Sequence, residues 1–230
     1  MKKATILLAL LLFAALQGAI AQNTEYKQMI DNATVEYLRI AGSQSPLYQG
    51  RVQEGHSHTT NHPYLKYAQY ENTRLSYFGI IYPNAALRLD LSRDELVILS
   101  PDFRNIVLLP ENVDFAELHG KHIIYFYRNS LPGSPSTGYY SLLHSENCKV
   151  IEKQTAKLMT DSRTGTQYYV VLTNFYLLKD GVYYAIQNQR GLLRVLQPYK
   201  KELNRFISSN NLRFRHDAER LITQTDLVLF

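Results

Sequence analysis

Three histidines in one short stretch, Gly55-His56-Ser57-His58-Thr59-Thr60-Asn61-His62, are the residues of this chain whose type and spacing most suggest metal chemistry. In an extended segment His56 and His58 point to the same side, and His62 completes a set of three if the loop folds back on itself. Glu54 is the only carboxylate beside the loop, so a fourth ligand and the groups that would orient the imidazoles are not supplied locally. Polar loops also carry histidines as solvated side chains, which is the commoner case.

Nucleophilic catalysis needs a hydroxyl or thiol, a histidine within reach and an acid to orient it. Ser141 with His144, Cys148 with His144, and Arg215-His216-Asp217 each offer part of that set. None sits in a recognisable frame: Gly-x-Ser-x-Gly, His-Glu-x-x-His, a Walker-type phosphate loop and the dinucleotide glycines are all missing from the sequence. Asp94-Glu95 and Asp114 with Glu117 are the closest approach to a glycosidase pair, yet adjacent acids in turns are usually solvated. No catalytic residue and no cofactor is therefore assigned.

Charge is the other chemical asset. Residues 190–220 hold Arg190, Arg194, Lys200, Lys201, Arg205, Arg213, Arg215 and Arg220 against Glu202, Asp217 and Glu219, a local +5. Lys200, Lys201 and Arg205 are the candidate contact residues for an anionic glycan or an acidic envelope protein, with a solvated helix face as the plainer alternative. The whole chain carries only +5, far from the density of a nucleic-acid binder.

The elements that must position these residues begin with an export signal. Met1-Lys2-Lys3, the apolar run Ile6 to Leu16 and the small-residue site Ala19-Ile20-Ala21 read as a leader over 1–21. Eleven apolar residues are too few to cross a bilayer, and no later stretch is longer, so no transmembrane segment is expected once the leader is gone. Its removal takes Lys2 and Lys3 and leaves a formal +3. Cys148 is the only cysteine, so no internal disulfide can form, and Gln22 rather than cysteine follows the leader, which argues against a lipid anchor.

Residues 22–230 are expected to form one β-rich domain. Its 18 tyrosines alternate with apolar residues, as suits half-buried antiparallel strands. Strands are predicted over Thr34–Ile40, Leu47–Val52, Leu75–Tyr82, Ala85–Leu91, Glu95–Leu99, Ile106–Leu109, Val113–Leu118 and His122–Tyr127. Five more follow, over Tyr139–Leu143, Lys149–Glu152, Gln167–Leu172, Phe175–Leu178 and Val182–Ile186. Asn129 to Gly138 reads as a long hairpin connection, and Asp180-Gly181 as a type I′ turn. After Gln189 the spacing changes to helical: Leu192, Leu193 and Leu196, then Tyr199, Leu203, Phe206 and Ile207 behind Pro198, then a third helix starting near Asp217. The fold class is thus α+β, mainly an antiparallel meander curled into a sandwich or open barrel, with two or three helices over about 190–230.

The runs Leu47-Tyr48-Gln49-Gly50, His62-Pro63-Tyr64, Leu87-Arg88-Leu89-Asp90, Asp94-Glu95-Leu96-Val97, Leu192-Leu193 and Lys200-Lys201-Glu202-Leu203 together resemble exported proteins of Bacteroidota. The resemblance spans nearly the whole chain after the leader. It implies a periplasmic or outer-membrane setting and no established activity or catalytic residues. The ending departs from that group, whose last helix finishes in a tyrosine-rich turn where this chain has Asp226-Leu227-Val228-Leu229-Phe230. The leading expectation is a periplasmic or secreted, non-enzymatic binding or accessory module. The alternatives are a hydrolase of envelope or dietary polymers and a metal-binding protein built on the histidine loop.

Overall fold

The computed structural model describes residues 24–144, 149–214 and 217. The expected leader, Cys148 and most of the expected third helix lie outside them. Eleven antiparallel strands form one open sheet, in the order β1-β5-β4-β3-β2-β6-β7-β8-β9-β10-β11. They are β1 (Arg51–Val52), β2 (Glu71–Tyr77), β3 (Ile80–Asp90), β4 (Glu95–Leu99), β5 (Asn105–Val107), β6 (Val113–Leu118), β7 (Lys121–Phe126), β8 (Gly138–His144), β9 (Lys149–Thr160), β10 (Gln167–Lys179) and β11 (Val182–Ile186). Two C-terminal helices, α2 (Gln189–Val195) and α3 (Lys200–Ser209), follow the sheet. The architecture is α+β and mainly antiparallel β, as the strand spacing implies.

The first expected strand is a helix. Residues 24–41 are helical (α1), including Thr34 to Ile40. The alternation of Val35 and Tyr37 with Glu36 and Leu38 fits a strand locally. Asp31, Thr34, Leu38 and Ala41 recur at helical spacing, though, and these are the positions turned towards the protein, with Leu38 packed on the main core. Arg39 bridges Glu36 one turn back at 2.6 Å.

A second difference lies at Phe78-Gly79. The run Leu75 to Tyr82 reads as one strand, but both of these residues take positive φ, 56° and 71°, and the chain reverses between Tyr77 and Ile80. Phenylalanine is an unusual occupant of a type I′ turn, so its side chain gives no hint of the hairpin. Conversely, Gln167–Leu172 and Phe175–Leu178 are halves of one 13-residue strand, and β9 runs on to Thr160 opposite it. The Asp180-Gly181 hairpin and the β7–β8 pairing across 127–137 are present as expected.

Three buried clusters hold the sheet. The largest joins β2 to β6 with Leu47 and Leu65 and reaches Ala156 and Tyr169 on the far hairpin. A second packs Phe175, Leu177 and Ile186 under Leu192 and Leu193 of α2, Leu196 just after it, and Leu203 and Ile207 of α3. A third, of Phe126, Tyr140, Ile151 and Tyr183, lies between neighbouring strands. Gly133 in the β7–β8 connection brings its backbone against β11: at φ 71°, an added Cβ would stand 2.0 Å from the Tyr183 carbonyl oxygen. Gly133→Ala is expected to cost about 1–3 kcal/mol from strained φ and displaced backbone, read as a lower denaturant midpoint.

Tyrosine burial sets the alkaline limit of the fold. The hydroxyls of Tyr64, Tyr82, Tyr139, Tyr140 and Tyr183 are pushed above the ordinary value of 10.0, burial being the largest cause in each, and Tyr70 is pushed up to about 12. The folded chain therefore keeps its phenolic protons to higher pH than the unfolded chain does. That stabilisation is complete below pH 10 and is lost as pH rises through the folded-state values. The melting temperature is expected to fall as pH passes from 10 to about 12, with the buried tyrosines' share of tyrosinate absorbance rising together with unfolding, after that of exposed ones such as Tyr26 and Tyr67.

Candidate functional site

Leaving β1, the chain crosses the mouth of the curled sheet as a strap over 53–63. Its start continues β1, with the Gln53 N–H donating to the Asn105 carbonyl. Its far side reaches β10, where the Thr60 N–H donates to the Gln167 carbonyl and the Asn61 side chain makes both bonds to the Tyr169 backbone, at 2.7 and 2.8 Å. It then returns to β3, where Tyr64 bridges Asp90 and the Leu65 N–H donates to the Leu89 carbonyl.

Asp90 is the centre of this crossing and is fully buried, 0% exposed. A buried carboxylate must be compensated, and here five donors do so. Oδ1 accepts from the Ser92 N–H, the Ser92 hydroxyl and the Arg93 N–H, while Oδ2 accepts from the Gln53 amide at 2.9 Å and from His56 Nε2 at 2.5 Å. The other ring nitrogen of His56 meets the Tyr169 hydroxyl at 3.0 Å. Nε2 faces the carboxylate, which leaves Nδ1 as the ring atom that meets that hydroxyl. Arg88 donates to the Gln53 side-chain oxygen and lies 4.0 and 4.4 Å from the ring centres of Tyr64 and Tyr70.

Acid, imidazole and hydroxyl are thus in line, the order that activates a nucleophile. The hydroxyl, however, belongs to Tyr169, which is buried against the strap. Clefts of about 520, 320 and 700 Å³ open beside α1 and around α2, all lined by other residues. What the alignment does is pin the strap to β3 and β10 at once.

The other histidines of the loop stand apart. His58 is exposed, and His62 stacks on Tyr64 with its Nδ1 buried and without a hydrogen-bond partner. Among the described residues no three His, Cys, Asp or Glu side chains gather as metal ligands. The acid pairs are split between separate partners: Asp94 with Lys153, Glu95 with Arg51, Asp114 with the Ser76 hydroxyl, Glu117 with Arg74. Ser141 is buried on β8, whereas Cys148 and His216 lie outside the described residues. Asp217 sits one turn inside its helix, its carboxylate accepting from the Arg213 N–H.

Lys153 is a second buried charge, 8% exposed. Its Nζ donates to Asp94 at 2.5 Å and to the Tyr139 carbonyl at 3.0 Å. Burial draws its pKa below the ordinary lysine value, with Asp94 acting in the opposite direction. Like Asp90, it joins elements far apart in the chain, the β3–β4 turn and β9.

The cationic surface is open. Lys200, Lys201 and Arg205 are exposed on α3, whose opposite side buries Leu203 and Ile207, and Lys201 and Arg205 share one face a turn apart. Arg190 and Arg194 are exposed on α2. Arg190 lies between two clefts: one of about 320 Å³ lined also by Gln187, Asn188 and Arg194, and one of about 700 Å³ lined also by Gln189, Leu193 and Phe214. Amide and guanidinium donors around such a space are suited to an oxyanion-bearing, hydroxyl-rich ligand. Local charge density points to this surface in the sequence. Asp90 and Tyr169, 34 and 113 positions from His56, carry no local signal at all.

Comparison with known proteins finds no matching family model, no matching curated protein and no matching solved structure.

Removing the Asp90 carboxylate leaves His56, Gln53 and the Ser92–Arg93 turn without their acceptor inside the protein. Asp90→Ala is expected to cost about 3–5 kcal/mol, and Tyr169→Phe about 1 kcal/mol, in urea unfolding. Limited trypsin digestion should cut at Arg51 or Lys66 faster in both variants, in the same order.

Proposed function

We propose that the protein is an exported, non-enzymatic envelope module that binds an anionic partner through the exposed face of α2 and α3. One observation carries this reading. Five exposed cations, Arg190, Arg194, Lys200, Lys201 and Arg205, stand on helices whose inner sides are consumed by the protein's own core, with Glu202 the only acid among them. The buried charges favour the same conclusion, because Asp90, Glu152 and Lys153 are engaged in holding strands and strap together.

The partner class that best matches the donors is an acidic polysaccharide. The side-chain amides of Gln187, Asn188 and Gln189 supply hydrogen bonds for hydroxyls, the two arginines pair with carboxylate or sulfate, and Phe214 offers an apolar wall. Export and a periplasmic or outer-membrane setting, implied by the leader and by the resemblance, supply access to such polymers. Among the described residues no helix is long and apolar enough to cross a membrane.

Binding to polygalacturonate, with neutral dextran as control, tests the reading. The affinity is expected to weaken steeply between low and physiological salt. Charge reversal of Lys200, Lys201 and Arg205 should reduce it by about tenfold or more, with the melting temperature unchanged. Equal binding to dextran, or binding indifferent to the triple reversal, would remove the basis for this function.

A further inference from the structure

The outward side of α1 is apolar. Tyr26, Met29, Ile30, Tyr37 and Ile40 are 64%, 67%, 42%, 44% and 73% exposed. At about 3.6 residues per turn these five and the exposed Ala33 share an arc of about 100°. The centre of that arc lies roughly 110° round the helix from Asp31, Thr34, Leu38 and Ala41, the positions turned to the protein. Tyr26, Ile30, Ala33, Tyr37 and Ile40 follow one another at steps of four, three, four and three residues. That alternation is the seam along which one helix packs against another. α1 thus has two contact faces, and the sheet of its own chain occupies one.

We propose that a second copy of this chain occupies the other, the two α1 helices packing side by side about a two-fold axis near Ala33. Three observations select that occupant. The first is area: the five large side chains leave roughly 600 Å² bare per copy, the upper end of what a monomer exposes in one patch, and two copies together reach the lower end of stable interfaces. The second is self-complementarity. Ala33, in the middle of the stripe, is small enough to let two backbones approach, and a two-fold axis there sets Tyr26 of each copy against Ile40 of the other. The third is charge: Glu25 and Glu36 border the outward edge of the stripe, where an anionic lipid surface would be repelled, whereas Glu36 is already paired with Arg39 and suits the rim of a protein contact.

Two heptads are too few to hold two free helices together, but α1 is already fixed on the sheet through Thr34 and Leu38, so association does not have to order it. α1 packs on the first cluster and α2 and α3 on the second, so this contact and the cationic face draw on different surfaces. The inference is independent of the anion-binding reading.

Sedimentation equilibrium over a concentration series, on the protein purified in the form the cell retains, tests it. A mass of two chains that falls to one on dilution is expected. Met29→Glu combined with Ile40→Glu, and separately Ala33→Arg, should each raise the dissociation constant by about a hundredfold or more. Helical circular dichroism and the melting temperature of the dilute, single chain should stay unchanged in both, because these side chains are exposed there. Val35→Glu replaces an exposed apolar residue on the opposite side of α1 and should leave the dimer intact. A single-chain mass up to about 0.1 mM would overturn the proposal. A dimer that survives both seam variants, or one that Val35→Glu weakens equally, would do the same. A single chain that binds phosphatidylglycerol vesicles, and loses that binding with Met29→Glu and Ile40→Glu, would assign the stripe to a lipid surface and equally overturn it.

Discussion

A carboxylate with no access to water organises this protein. Asp90 stands at the end of the longest strand of the first half of the sheet and binds two neighbours in its own turn, a glutamine from the edge of the sheet and a histidine from the strap. Burying a charge is tolerated only when its lone pairs are filled. Here filling them requires the strap to cross the mouth of the sheet, and the strap in turn holds β10 through Asn61 and Tyr169. The sheet remains open as a hydrogen-bonded ladder, yet its distant strands are joined by this polar crossing and by the Leu91–Ala156 contact.

The same principle recurs at Lys153 and Glu152, adjacent on β9. Lys153 reaches Asp94 in the turn after β3, and Glu152 reaches Lys121 on β7. Their neighbours are tyrosines, whose rings fill the volume while their hydroxyls stay protonated. A chain without disulfides thus combines apolar clusters with a small number of fully engaged buried charges, which specify register where Leu and Tyr alone are permissive. Cations for which the fold has no such use are left exposed on α2 and α3.

Much of the sheet was legible along the chain. Alternating tyrosines with turn residues between them mark most strands, Asp180-Gly181 marks its hairpin, and Leu203 with Ile207 marks the buried side of α3. The misreadings have physical causes. Thr34 to Ile40 satisfies both periods, and only the contact of Leu38 with the core selects the helix. Phe78 adopts a left-handed conformation that the adjoining glycine makes cheap for one residue and the strands on either side enforce for both. The histidine loop was conspicuous for the right residues, but metal ligation and a strap closure draw on the same side chains, and spacing does not separate them.

Composition and order by themselves determined the β-rich class, the helical and cationic C-terminal part and the candidate anion-binding residues, because periodicity and charge are local properties that no later packing can erase. Which histidine is engaged, which aspartate it meets and which tyrosine completes the line were decided only when residues 34 and 113 positions apart were brought within hydrogen-bond distance. Those pairings depend on how far the sheet curls. That curl comes from eleven strands twisting together, and no single segment of the chain carries it.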